Sequence, residues 1–191
     1  MTQPDISAQH SAATAERQKL RQFFLKQRQA LSAQDKQLAD QSLCQKVVHW
    51  HQQQRPSCLG VYWPIKGEPD LLPAYQHLQD QGYALALPRV VQAGQALEFC
   101  LWQQGSVLQK DKYGIPTPAE HAPIVKPDAL LIPCVGFNPD KFRLGYGGGF
   151  YDRTLALSPR PYALGIAYAC LAGDFAVAEY DIAMDQILTE V

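Results

Sequence analysis

The sequence predicts an α/β fold, in which a largely parallel sheet is sandwiched between helices. Two observations predict it. Short apolar runs bounded by Gly, Pro or polar residues recur at Cys58–Trp63, Tyr83–Pro88, Ala129–Phe137 and Tyr162–Tyr168. Stretches with helical spacing precede or separate them. Strands that alternate with helices join in parallel, because a parallel crossover needs about a helix's length of chain.

The first helix spans Glu16 to about Leu31. Leu20, Phe23, Phe24 and Leu31 recur at helical spacing, while Arg17, Lys19, Arg21, Lys26 and Arg28 cover much of the remaining surface. Ser32 followed by Asp35 marks the start of a second helix, with the hydroxyl as cap and the carboxylate at the positive end. That helix runs to about Gln53 on a stripe of Leu43, Val47 and Trp50. CLGVYW (Cys58–Trp63) is a buried strand that Pro64 ends, since proline cannot donate to a ladder. Asp70 caps a helix carrying Leu71, Leu72, Tyr75 and Leu78, and Gly82 closes it. YALALP (Tyr83–Pro88) and LEFCLW (Leu97–Trp102) are the next strands. Tyr113 to Pro127 holds four prolines and reads as an irregular wrapping loop. ALLIPCVGF (Ala129–Phe137) is one buried strand running towards a glycine loop. A short helix begins near Gly149 or Phe150 and ends by Ser158; YALGIAY (Tyr162–Tyr168) and QILTEV (Gln186–Val191) are the last strands. With no internal repeat and no linker, the expected architecture is a single-domain α/β/α sandwich, Rossmann-like in its layering, over 16–191. Residues 1–15 are expected to form a polar, frayed tail.

Composition excludes several classes. The 191 residues fit one domain, and 47% hydrophobic content supplies a core. A net charge of -1 gives no global field for nucleic acid or a membrane surface. No apolar run approaches the ~18 residues that span a bilayer. The N-terminus lacks the basic start and apolar core of a secretory signal. Five cysteines stand at Cys44, Cys58, Cys100, Cys134 and Cys170, with no CxxC pair. Cys58, Cys100 and Cys134 sit in apolar stretches and read as reduced core thiols, which places the protein in the cytoplasm. The five histidines match no metal spacing.

One stretch asks for an explanation. RLGYGGGFYDR (Arg143–Arg153) sets four glycines within five residues beside bulky and charged neighbours. Between a strand and a helix, glycines let backbone N–H groups approach an anion. The free N–H groups of the following helix add partial positive charge. Arg143 and Arg153 can fork onto phosphate oxygens. Asp152 beside a phosphate implies an intervening Mg²⁺, which takes one or two carboxylates with phosphate oxygens and water. The stretch is neither a P-loop, for want of Lys-Ser/Thr, nor a dinucleotide fingerprint, since Phe150 stands where the last glycine belongs. On these grounds alone it is either a phosphate cradle or a tight turn.

PCVGFNPDKFRLGYGGGFYDRTL resembles the signature of the 5-formyltetrahydrofolate cyclo-ligase family. KLRQFFLKQRQALS (Lys19–Ser32), YWPIKGEPD (Tyr62–Asp70), LPRV (from Leu87), YGIPTP (Tyr113–Pro118) and YDIAMDQILTE (Tyr180–Glu190) are similar to other family segments, in the expected order. The resemblance covers the chain from about Glu16. It implies an ATP- and Mg²⁺-dependent enzyme that converts 5-formyltetrahydrofolate, whose tail can carry several glutamates, to 5,10-methenyltetrahydrofolate. A monomer is expected, with no nucleic-acid or membrane partner.

Residue roles follow from the resemblance. Arg143, Leu144, Gly145, Tyr146, Gly147, Gly148, Gly149, Phe150 and Tyr151 would wrap the ATP phosphates. Tyr146, Gly147, Gly148, Gly149 and Phe150 would also border the folate. The first helix would bring Arg21 and Arg17 to ATP, with Lys19 as the alternative to Arg17. Asp152 and Asp181 align with metal ligands, and Arg143, Arg153 and Asp152 with the catalytic groups. Glu68, Trp63 and Tyr113 match positions around the pterin. Gly148 departs from the lysine that several relatives carry, although others have glycine, which leaves the cation on the transferred phosphoryl group to be found among Arg143, Arg153 and the cations of the first helix.

Overall fold

In the computed structural model of the protein, which describes residues 6–191 and side chains from 14 onward, two helices lead into the sheet. The first, α1 (Ile6–Gln29), begins well ahead of the Glu16 start read from the sequence. Residues 1–5 of the expected tail lie outside the described residues. Phe24 of α1 is buried, but Phe23 is exposed, and Arg28 is buried where a solvated cation was expected. The second helix, α2 (Ala33–Gln54), starts as predicted, with Ser32 accepting from the Asp35 N–H. Its buried stripe is Ala39, Leu43, Val47, Trp50 and His51.

The first strand, β1, keeps ladder pairing only at Leu59–Gly60. The third helix, α3 (Leu72–Asp80), has Asp70 accepting from the Leu72 N–H at 3.1 Å. Gly82, at φ +82°, turns the chain out of it into β2 (Leu85–Arg89). Then follow β3 (Glu98–Trp102), β4 (Leu108–Lys110), β5 (Pro116–Pro118) and β6 (Ile124–Val125). The proline-rich stretch is therefore not wholly irregular: β5 pairs with β4, and β6 adds to the sheet edge. Short edge pairings tolerate proline because one side of the strand needs no ladder donor. The stretch expected as one strand from Ala129 to Phe137 divides into β7 (Ala129–Pro133) and β8 (Gly136–Phe137). β8 pairs with β9 (Arg143–Leu144), which hands the chain to the glycine loop and α4 (Phe150–Leu155). The last strands are β10 (Tyr162–Ile166) and β11 (Gln186–Leu188).

The main sheet has the order β11-β10-β7-β1-β2-β3-β6. The five strands from β11 to β2 are parallel, and β3 pairs antiparallel to β2. Alternation sorts its residues to two faces. Leu59, Val61, Leu85, Leu87, Leu131 and Ile166 pack into one cluster with Leu43, Val47, Trp50, Tyr75 and Leu78 of α2 and α3. Ala86, Leu130, Ile132 and Ala163 face the other way, onto Leu155 of α4 and Met184. The layering is α/β/α, as the sequence predicts.

Gly60 of the short central strand is buried, and a Cβ there would run into the Leu130 side chain and the Phe99 ring. Gly60→Ala is therefore expected to overpack this cluster and cost about 1–3 kcal/mol. A lowered urea midpoint at unchanged m-value checks this; an unchanged midpoint would show that the two side chains yield freely.

Candidate functional site

The central position of β1 creates the place for a site. Its parallel neighbours are β2 on one side and β7 on the other, so the chain leaves β1 in one direction and later returns on the opposite flank. Open α/β sheets bind ligands beyond the carboxyl ends of strands at such a switch. Here a cavity of about 1180 Å³ lies beyond those ends, touching Tyr62 and Trp63 after β1, Pro88 in β2 and Pro133 at the end of β7.

The glycine loop forms one wall. Each of its glycines leaves room for a neighbouring side chain. A Cβ on Gly145 would strike the Arg143 guanidinium, and one on Gly147 would lie 3.3 Å from Cζ of Arg21. On Gly148 it would lie 2.8 Å from the Phe150 ring, and on Gly149 2.7 Å from Nη1 of Arg153. Gly147 and Gly149 also take φ of +98° and +64°, which side chains disfavour. The loop is thus bare because arginines and a phenylalanine occupy the space that side chains would need.

These arginines hold the loop in return. Arg21 Nε donates to the Gly145 carbonyl at 2.8 Å, and Arg153 Nη2 donates to the Gly148 carbonyl. Arg143 is 6% exposed; its Nη2 pairs with Asp152 Oδ2 at 2.9 Å, and its guanidinium lies 5.4 Å from the Tyr151 ring centre. Arg143 Nε is buried without a partner. Arg17 forks onto both oxygens of Asp181, at 2.8 and 3.0 Å, tying α1 to the segment before β11. Burial, with Arg17 next in order, lowers the pKa of Arg21. Four guanidinium groups around one loop, two of them answered by carboxylates, make this wall a receptor for negative charge.

The adjoining wall is aromatic and holds one buried carboxylate. Trp63 meets Trp102 edge-on at 6.2 Å, and Tyr113 meets Phe150 edge-on at 6.4 Å. Glu68 is 3% exposed. Its Oε2 accepts from the Ile65 N–H at 2.9 Å, and its Oε1 accepts from the Tyr146 hydroxyl at 3.0 Å. Burial pushes the Glu68 carboxyl up to about 7, against the opposing pull of the Ile65 N–H, Arg28, Tyr146 and Lys66. The Tyr146 hydroxyl is itself pushed up to about 12, by burial first and then by Glu68.

Most residues singled out in the sequence meet here. Arg17, Arg21, Trp63, Glu68, Tyr113, Arg143, the loop from Gly145 to Arg153 and Asp181 all border the cavity. Two do not: Leu144 is buried in the core, and Lys19 is exposed on α1 away from the cavity. Helical spacing explains the second case. Arg17, Arg21, Phe24 and Arg28 fall at intervals of four, three and four, one stripe of α1, and Lys19 lies off it. The same spacing was the available signal for Arg28, whose Nη2 donates to the Tyr146 hydroxyl at 2.6 Å. Asp185 stands apart, paired with Arg160 at 2.8 Å and accepting from the Ala163 N–H. No group of three or more His, Cys, Asp or Glu converges on a metal position among the described residues.

Comparisons with known proteins agree with this layout. Residues 13–190 match the 5-formyltetrahydrofolate cyclo-ligase family. The chain is 30% identical over 175 residues to a 5-formyltetrahydrofolate cyclo-ligase of Mycoplasma pneumoniae, covering 90% of this chain and 96% of that one. It is 29% identical over 171 residues to the Escherichia coli K12 protein of the same name, covering 85% and 93%. The fold superposes on a 5,10-methenyltetrahydrofolate synthetase from Mycoplasma pneumoniae with a TM-score of 0.73 at 29% identity, covering 92% and 99%. On the Aquifex aeolicus 5,10-methenyltetrahydrofolate synthetase the TM-score is 0.79 at 26% identity, covering 91% and 89%. The loop of glycines and arginines beyond the parallel strands thus stands in a chain that belongs to the 5-formyltetrahydrofolate cyclo-ligase family.

Proposed function

We propose that the protein closes 5-formyltetrahydrofolate to 5,10-methenyltetrahydrofolate with ATP as co-substrate and Mg²⁺ as metal. One observation carries this reading. A single cavity joins a wall of guanidinium groups to a wall of aromatic rings with a buried carboxylate. The first wall suits a triphosphate and the second a flat, amino-bearing pterin. The relatives named above are cyclo-ligases and methenyltetrahydrofolate synthetases, which matches both walls.

The reaction has two balanced steps. The formyl oxygen attacks the γ-phosphorus and ADP departs, which turns a poor leaving group into a phosphate ester. Folate N10 then attacks the activated carbon, phosphate leaves with the former formyl oxygen, and N10 loses its proton. Phosphoryl transfer asks a protein chiefly for alignment and charge neutralisation. Arg143 supplies a charge rigidly held in low dielectric, and Arg21, Arg17 and Arg153 extend it along the polyphosphate. The trans peptide geometry aids them. Pinning the carbonyls of Gly145 and Gly148 aims the N–H groups of Tyr146 and Gly149 the opposite way, away from the arginines.

The donor set suits Mg²⁺ rather than a metal caged by protein. Asp152 borders the cavity and lends one oxygen to Arg143, so it can serve as the carboxylate of a metal otherwise held by phosphates and water. Asp181 has both oxygens on Arg17 and acts first as the group that aims this arginine. When bound, Mg²⁺ would offset charge on the transferring phosphoryl group.

Glu68 would accept hydrogen bonds from the pterin amino group and ring N–H. Trp63 and Tyr113 would flank the ring, and the glycine loop would separate folate from phosphates. All these groups belong to one chain, so a monomer suffices. We place it in the cytoplasm, where its five free thiols stay reduced. No helix among the described residues is long and apolar enough to cross a membrane.

Two variants test the reading. Asp152→Asn should lower Mg²⁺-dependent turnover by about a hundredfold or more, on the scale of losing one charge-stabilising group. The readout is growth of the methenyl folate absorbance with 5-formyltetrahydrofolate, ATP and Mg²⁺; full turnover in the variant sinks the metal role. Glu68→Gln tests the buried charge by stability. The folded carboxyl titrates near 7, above its ordinary 4.5, so the folded state holds the proton more tightly. Stability then falls as pH rises from about 4.5 to about 7 and stays low above that. The Gln variant should be more stable than the parent by on the order of 3 kcal/mol at pH 8, with no advantage near pH 4.5. Denaturant midpoints across this range decide it; a pH-independent difference shows that Glu68 carries no such penalty.

A further inference from the structure

Behind Glu68 lies a cation that the reaction as described does not use. Arg28 is 3% exposed and does not border the cavity. It reaches the cavity through one intermediary. Arg28 Nη2 donates to the Tyr146 hydroxyl at 2.6 Å, and that hydroxyl donates to Glu68 Oε1 at 3.0 Å. The guanidinium also lies 5.9 Å from the Tyr146 ring centre. Its Nε and Nη1 are buried without partners. A buried guanidinium left so poorly satisfied is costly, and replacing it by an apolar side chain would commonly stabilise a core. Fold stability therefore does not explain it.

We propose that Arg28 is a positioning residue of the folate subsite, acting through Tyr146 to hold Glu68 as an oriented, ionised acceptor. The inference rests on the reading of Glu68 as the pterin-binding carboxylate. The chain of donors has one direction: Arg28 can only donate, so Tyr146 must accept from it and is left to donate to Glu68. That fixes one Glu68 oxygen, while the Ile65 N–H fixes the other. The carboxylate plane is thereby set, and its remaining lone pairs are left for the ligand. Charge acts in the same sense. A positive group two hydrogen bonds away favours the ionised carboxyl against the burial that opposes it.

The other groups around Glu68 do not substitute for Arg28. Tyr62 after β1, Cys134 after β7 and Tyr75 of α3 are buried, and Tyr151 of α4 is half-buried; all are neutral groups whose own pKa values are raised by burial. Lys66, two residues away, adds positive charge, but its Nζ stands 5.1 Å from the Tyr146 ring centre. Arg28 is thus the buried cation behind this carboxylate among the described residues.

The test measures the Kd of 5-formyltetrahydrofolate by calorimetry from pH 6 to pH 9, with ATP binding as control. In the parent, affinity should fall as pH drops through about 7, the Glu68 value. In Arg28→Met the midpoint of that fall should move up by about one pH unit. The ionised fraction at pH 7 then drops from about one half to about one tenth, which weakens folate about fivefold at pH 7 and little at pH 9. Arg28→Lys should restore part of the midpoint, since it keeps the charge without the fork. Tyr146→Phe cuts the relay without removing the cation; should Arg28→Met fail to fold, it carries the same expectation. Glu68→Gln separates the two readings. If Glu68→Gln loses folate affinity while Arg28→Met and Tyr146→Phe leave the midpoint in place, the role of Arg28 is refuted and that of Glu68 stands. If Glu68→Gln binds folate as the parent does, the pterin reading of Glu68 fails and the proposal falls with it.

Discussion

The structure of the site depends on a steric constraint, the close packing of guanidinium groups into the hollows of a glycine loop. Arg143, Arg21 and Arg153 fill the positions where side chains of Gly145, Gly147 and Gly149 would sit. Any larger residue there must expel an arginine or distort the loop. The arginines repay this by binding the loop's carbonyls at Gly145 and Gly148. Loop and cations therefore fix one another. Because Arg21 comes from α1, the same contact docks the first helix against the end of the chain's central block. Arg17 extends that docking to Asp181. A charged cluster is here a structural joint, and like charges tolerate such proximity only when an anion or a carboxylate answers them.

The second half of the site inverts this logic. Where the loop crowds cations, the aromatic part of the cavity buries one acid among tyrosines. The charges have opposite sign, and the two walls share Tyr146, which belongs to the glycine loop yet hydrogen-bonds to Glu68. A change in the loop's backbone therefore reaches the carboxylate through one side chain.

Much of this was legible in the residues, and the gaps have physical causes. Strands β7 and β10 showed as apolar runs, because parallel strands buried on both faces have no polar side. The cap at Ser32 was legible because capping is local chemistry. The division between β7 and β8 was not, since a bend inside an apolar run leaves periodicity unchanged. Pairing of the proline-rich stretch depends on tertiary neighbours that sequence does not display. In the site, glycines adjoining arginines were visible, but their relation was not. The sequence suggested glycines opened for an anion; the geometry shows them first opened for arginine side chains. Arg28 looked like one more solvated cation, although its spacing from Arg17, Arg21 and Phe24 placed it on their stripe. Composition invites the reading that a charged residue faces water, and only the helical register argues against it.

Gly148 brings these strands of argument together. A lysine there would have placed a mobile ammonium beside the loop. In this chain the space beside Gly148 belongs to the Phe150 ring, and its carbonyl belongs to Arg153. Arg153 in turn lies 5.5 Å from that same ring, so the aromatic face helps seat the guanidinium. The absence of a side chain at 148 thus leaves room for the ring on which the arginine rests. The positive charge beside position 148 is carried here by a planar group held by backbone and ring. A planar, pre-set cation loses less freedom on meeting a phosphate than a flexible ammonium does, and it can answer two oxygens at once. The glycine at 148 is therefore matched to the two groups that crowd it, an aromatic ring at its Cα and a guanidinium on its carbonyl.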